Sequence, residues 1–270
     1  MITQTFTFLY VNVMTPMDPQ RITLIGIALD ESSSMGKVST AAISGTNEFV
    51  AGQNPANNDR LGQNKTLLGI VLFNTTARWV TQHENQHDGN VTEHYKFYDV
   101  AEYKDLTDKT YRPGGMTALY DAIDTLIRGA DLYRVDHPDL EVDVVIVIQT
   151  DGEENSSRHC TQDEINKLIL ARTEIGYTFT YLGANQDACF MARTIGIKSA
   201  ISYTNDINCT RTAMRSASEA VSRYRSQGAQ VSDQIEYSEL ERIASMQQID
   251  AAPILAPASV DTNPVLSAVI

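Results

Sequence analysis

Two stretches of the chain, residues 21–30 (RITLIGIALD) and 142–150 (VDVVIVIQT), are apolar almost without interruption and stop at a polar turn. A strand wetted on one face alternates apolar with polar side chains, whereas one covered on both faces is apolar throughout. Both stretches are therefore predicted to be central strands of a parallel sheet. Residues 66–73 (TLLGIVLF), 179–183 and 199–203 add further strands, and residues 77–81 and 94–100 read as hairpin partners across a polar loop containing Asp88-Gly89-Asn90. Between the strands the spacing becomes helical. Residues 38–50 carry apolar or small side chains at helical intervals, and Leu119, Ala122, Ile123, Leu126, Ile127 and Ala130 mark one face of a long helix. Thr161 and Glu164 form a capping box that opens a helix running towards residue 175, and residues 187–195 and 209–226 supply two more helices. Alternating strands and helices predict an α/β fold, a mainly parallel central sheet with helices on both faces and right-handed crossovers.

The two ends have a different character. Residues 5–13 (TFTFLYVNV) read as a strand, and Pro16 and Pro19 make the following stretch a linker, so residues 1–20 form an N-terminal arm. Residues 21–227 are the α/β domain. In residues 228–270, Ile235, Leu240, Ile243, Met246 and Ile249 predict an amphipathic helix, followed by an Ala/Pro/Val-rich tail, residues 251–270, without a basic residue.

Composition narrows the function. The 270 residues carry 21 basic and 34 acidic side chains, a formal net charge of -13, which repels phosphate backbones and anionic membranes and attracts cations. No nucleic acid and no membrane are expected as partners. Cys160, Cys189 and Cys209 show neither a CxxC spacing nor an even count, the residues before 14 have no basic segment or cleavage site of a signal peptide, and no apolar run approaches membrane-spanning length. A cytoplasmic protein is expected.

In an open parallel sheet, ligands gather beyond the carboxyl ends of the strands. Three loops qualify: Asp30-Glu31-Ser32-Ser33-Ser34 after the first apolar strand, Gly114-Gly115-Met116-Thr117 before the long helix, and Thr150-Asp151-Gly152 after the second apolar strand. Each offers hydroxyl or carboxylate oxygen and none offers thiolate or imidazole. Hard oxygens select magnesium, calcium or manganese over zinc or copper. Glu31, Glu153 and Glu154 lie beside these loops and are expected to be solvated loop acids outside the ligand set.

D-x-S-x-S after a strand, Thr after a glycine pair at a helix start, and T-D-G after a later strand together resemble the metal-ion-dependent adhesion site (MIDAS) of von Willebrand factor A (vWA) domains. The resemblance covers residues 21–227, and the stretches GGMTALYDAI and YLGAN look like those of bacterial and bacteriophage members. It implies a Rossmann-like vWA fold and a metal site of Asp30, Ser32, Ser34, Thr117 and Asp151. It further implies that Ser32, Ser34 and Thr117 touch the metal directly, while Asp30 and Asp151 act largely through water. Mg2+ is the implied ion, with Mn2+ or Ca2+ as substitutes, and the implied function is to offer an open coordination position to an Asp or Glu of a partner protein.

The alternative expectation is a structural component of a phage particle or similar assembly, in the virion or host cytoplasm. There the metal stiffens the fold and the terminal arms make the contacts in a homo- or hetero-oligomer. An enzyme is not expected. His83-Glu84-Asn85-Gln86-His87 matches the HExxH pattern of zinc proteases, but residues 82–90 hold no apolar side chain to bury such a helix. The chain also has no GxSxG elbow, GxxxxGK[ST] loop or GxGxxG fingerprint.

Overall fold

A computed structural model describes residues 21–58, 64–82, 90–185, 187–227 and 235–247. The N-terminal strand and linker, the HExxH segment, and the tail beyond residue 247 lie outside the described residues.

The strands β1 (Arg21–Asp30), β2 (Lys65–Phe73), β3 (Ala77–Trp79), β4 (Tyr98–Asp99), β5 (Glu141–Thr150), β6 (Tyr177–Ala184) and β7 (Ser199–Tyr203) form one sheet in the order β3-β2-β1-β5-β6-β7, with β4 also paired to β2. The β2-β1-β5-β6-β7 pairings are parallel, and only the short β3 and β4 run antiparallel to β2. The helices are α1 (Ser39–Gln53), α2 (Leu119–Asp136), α3 (Gln162–Glu174), α4 (Ala188–Thr194), α5 (Ile207–Ser226) and α6 (Glu239–Met246). A 3-10 turn, Ser33–Val38, leads into α1.

The unbroken apolar runs follow from coverage on two faces. Successive strand residues point to opposite sides, so Ile25, Ile27 and Leu29 of β1 enter one core with Phe49 of α1 and Met214 and Val221 of α5. Ile22, Leu24 and Ala28 enter the other, with Ile123, Leu126 and Ile127 of α2 and Ile165 of α3. The capping box is present as expected: Thr161 Oγ1 accepts from the Glu164 N–H, and the Glu164 carboxylate accepts from the Thr161 N–H.

Two expectations are corrected. Residues 77–81 and 94–100 are not each other's hairpin partners. β3 pairs with Val71–Phe73 and β4 with Leu67 and Leu68, two successive stretches of the same β2 edge. β2 offers nine residues of edge, and neither short strand is long enough to cover it alone.

The C-terminal helix also differs from its sequence pattern. Leu240, Ile243 and Met246 face outward, and Ile235 is buried in the segment before the helix. Polar contacts hold α6 instead. β7 is the last strand of the sheet, and its carbonyls at Ala200 and Ser202 accept from Arg242 Nη1 (2.8 Å) and Ser245 Oγ (2.9 Å). Ser199 Oγ donates to the Ile235 carbonyl, and the Thr180 and Tyr237 hydroxyls meet at 2.7 Å. An open strand edge is a template for unwanted pairing, and residues 235–246 cover this one.

Candidate metal centre

β1 and β5 are adjacent and parallel, so their carboxyl ends, Asp30 and Thr150, finish side by side. Asp30 is fully buried. Its Oδ1 accepts from the Ser32 N–H at 2.7 Å, and its Oδ2 accepts from the Thr150 hydroxyl at 2.6 Å. Burial pushes the Asp30 carboxyl up to about 6, against the hydrogen bonds from Thr150 and Ser32, and the charge of nearby Asp151 adds to the rise. A desolvated carboxylate of this kind favours a cation close by.

From Asp30 the loop turns so that the Ser32 and Ser34 hydroxyls stand 3.0 Å apart, and Ser34 Oγ donates to Asp151 Oδ1 at 2.5 Å. Asp151 is held from its other side by Asn205 Nδ2, which donates to Oδ2 at 2.7 Å. Thr117 closes the group. A Cβ built on Gly152 would stand 3.5 Å from Thr117 Oγ1 and 3.9 Å from Ser34 Oγ. The bare glycine therefore leaves open the space that those two hydroxyls border. Thr117 is buried, yet its hydroxyl makes no hydrogen bond among the described residues, while its backbone N–H donates to Asn155 Oδ1 at 2.9 Å.

The glycine pair has a steric role. Gly115 adopts φ +80°, and a Cβ there would approach Thr75 Oγ1 to 2.6 Å. This fold of the loop delivers the Gly115 carbonyl to Ser33 Oγ (2.9 Å) and the Gly114 N–H to the Glu31 carbonyl (2.8 Å), which ties the first two loops together. The structure thus brings Asp30, Ser32, Ser34, Thr117 and Asp151 to one end of the sheet.

Glu31 and Glu154 are not the solvated acids expected. Glu31 is buried, its carboxylate accepting from Arg78 Nη2 (2.8 and 2.9 Å) and from the Arg112 N–H (2.5 Å). Glu154 accepts from the N–H groups of Tyr120, Ser156 and Ser157, so it caps α2 from a neighbouring loop. Glu153 alone is exposed as expected.

Reading the sequence missed three supports. Thr150 and Asn205 fix the two aspartates, and Tyr111 Oη donates to the Asp30 carbonyl at 2.7 Å. Asn205 follows β7 at the same end of the sheet, so the rule that selected the other loops also reaches it. Tyr111 carries no comparable signal, because only the packed fold brings it to β1.

The residues fit a hard divalent cation. They offer hydroxyl and carboxylate oxygen around the buried Asp30 carboxylate, and among the described residues no group of three His, Cys, Asp or Glu side chains is placed to hold a metal elsewhere. A mainly parallel, Rossmann-like sheet with the D-x-S-x-S, Thr and T-D-G loops meeting at one end is the α/β architecture that the resemblance to vWA domains implies.

No protein-family model and no curated protein sequence matches the chain. Solved structures do. A von Willebrand factor type A protein from Catenulispora acidiphila is 15% identical over 74% of this chain and 42% of that chain, with a TM-score of 0.48. Proximal thread matrix protein 1 from the mussel byssus, solved with a zinc-occupied MIDAS motif, is 17% identical over 76% of this chain and 47% of that chain (TM-score 0.49). The vWF domain of a type V pili tip protein from Porphyromonas gingivalis is 11% identical over 79% of this chain and 97% of that chain (TM-score 0.49). The chain spans less than half the length of the first two. At such identities and scores these likenesses say nothing of the site, whose reading rests on its own residues.

Proposed function

We propose that this domain binds a partner protein through a divalent ion, Mg2+ in the first instance and Mn2+ or Ca2+ as substitutes, held at Asp30, Ser32, Ser34, Thr117 and Asp151. The observation that carries the proposal is the Thr117 hydroxyl, which makes no hydrogen bond among the described residues and borders the same open space as the Ser34 end of the Ser32–Ser34–Asp151 chain. An oxygen left open towards that space, with its lone pairs uncommitted, is what a hard cation needs of a ligand.

The division of roles follows from which oxygens are already used. Both Asp30 oxygens accept short hydrogen bonds, as do both Asp151 oxygens, so the aspartates anchor the loops and supply charge. The three hydroxyls are left to face the ion. When bound, the ion supplies a Lewis-acidic position that its neutral hydroxyl ligands leave undercompensated, and an Asp or Glu of the partner satisfies it. The chain's own charge of -13 opposes an acidic partner, so the local reversal of sign has to come from the metal.

Binding without turnover is part of the same reading. Of the three acids beside the ligand loops, Glu31 and Glu154 are committed to structural hydrogen bonds and are not free to act as a base, and Glu153 points to solvent. A reducing compartment is supported by the three unpaired cysteines. The test is a pull-down from the native lysate with wild-type bait in Mg2+, wild-type bait in chelator, and Asp151→Ala bait in Mg2+. A partner recovered only in the first arm supports the proposal, and one recovered equally in all three refutes it.

A further inference from the structure

Next to the metal centre lies an open groove of about 460 Å³, lined by Lys37, Val38, Asn205, Asp206, Ile207 and Asn208. Two links join it to the centre. Lys37 lies on the same 3-10 turn as Ser34, and Asn205 both lines the groove and holds Asp151 Oδ2 at 2.7 Å.

Its chemistry is specific. Lys37 is exposed and makes no ion pair or hydrogen bond among the described residues, on a chain with 34 acidic against 21 basic side chains. The acid within the groove, Asp206, directs Oδ1 to the Cys209 N–H at 2.9 Å and so caps α5. Asn205 takes part through its amide nitrogen: Nδ2 is committed to Asp151, and Oδ1 is enclosed without a hydrogen-bond partner among the described residues. Ile207 is 56% exposed and offers apolar surface to the methylene stem of an acidic side chain.

We infer that this groove is a second contact for the partner and takes a second acidic side chain, close in sequence to the one that meets the metal. The inference rests on the metal-dependent reading above. The recognised element is thus a peptide with two nearby acids rather than a lone carboxylate: one acid meets the ion and the other the Lys37 ammonium.

The test uses immobilised synthetic peptides with one Glu in a Ser/Ala background and a second residue, Glu, Lys or Ser, at each of the following positions. Binding of the full chain is measured in Mg2+ and in chelator, for wild type, Lys37→Glu and Lys37→Ser. The inference expects wild type in Mg2+ to prefer the second Glu over Ser at one or two spacings by about threefold to fivefold, the scale of an exposed ion pair. Lys37→Ser should abolish that preference and Lys37→Glu should turn it towards Lys, both with the Mg2+ requirement intact. Metal-dependent binding with the same preferences in all three proteins overturns the groove assignment and leaves the metal reading standing. Binding that ignores chelator, or no binding to any peptide, overturns both.

Discussion

The Thr117 hydroxyl separates metal binding from folding at the level of one atom. Thr117 precedes α2 but does not cap it: the helix N-cap is Ala118, without a side-chain cap, and Glu154 Oε2 and Ser157 Oγ accept the first free N–H groups instead. Thr117→Val keeps the shape and removes only a hydroxyl with no partner. Its metal-free stability should stay within about 0.5 kcal/mol of wild type, since no hydrogen bond is lost, while its response to Mg2+ disappears. Melting curves with Mg2+ and with chelator check both halves, and a metal response equal to wild type would remove Thr117 from the ligand set. Glu31 gives the opposite case. Its carboxylate is buried against an Arg78 whose side chain is 49% exposed, so Arg78→Ala strands a buried charge on its remaining donors. Urea denaturation should show a loss of about 1–3 kcal/mol, with part recovered in Arg78→Ala/Glu31→Gln. No loss would mean that the Arg112 N–H and the Asn74 side-chain amide, which also donates to Glu31 at 3.4 Å, suffice.

At the scale of elements, α6 closes the sheet where β7 would otherwise present free carbonyls. It does so through two side chains, Arg242 and Ser245, while its apolar residues face away. The double variant Arg242→Ala/Ser245→Ala should therefore cost about 2–4.5 kcal/mol, one charged and one neutral hydrogen bond. Amide exchange in α6 and β7 should quicken together, because these bonds tie the helix to the strand edge alongside its contacts with Thr204 and Arg223. Unchanged protection in α6 would show that the Arg223–Glu241 ion pair and the segment around Tyr237 hold it alone. The β3 and β4 pairings protect the other edge by a different route, two short antiparallel stretches laid end to end along β2.

For the whole molecule, the consequence is linkage between metal and stability. The ligand loops belong to elements distant in sequence, β1, α2 and β5, and in the unfolded chain nothing holds them together. An ion that binds only the folded form should raise stability by ~2.7 kcal/mol at a hundredfold excess over its dissociation constant. Mg2+ or Mn2+ should thus raise the melting temperature of wild type, and Asp151→Ala or Ser32→Ala should not respond. Coincident curves with and without metal would sink the site assignment. Asn205→Ala tests the support from β7: Asp151 keeps its bond from Ser34 and loses the one at Oδ2, so the metal-induced shift should shrink without vanishing.

Much of this was legible in the chain by itself. The continuous apolar runs of β1 and β5 mark strands covered on both faces, because such composition is tolerated only where no side meets water. The helical spacing of α2 and the Thr161–Glu164 box are local patterns that local physics enforces. The D-x-S-x-S, Thr and T-D-G loops were readable because each directly follows a strand or precedes a helix, and a parallel sheet brings strand ends to one edge. Tertiary structure alone decided the rest. Whether residues 77–81 paired with 94–100 or with β2 depended on which edge stood open, which neither segment encodes. The apolar stripe of α6 was outweighed by unpaired carbonyls on a strand more than thirty residues earlier. Glu31 is buried because Arg78 and the Arg112 N–H converge on it from separate segments, and Asn205 and Tyr111 join the metal centre by the same kind of convergence. Periodicity reports what one element needs, but contacts across the fold depend on where packing leaves a charge, an edge or a hydroxyl without a partner.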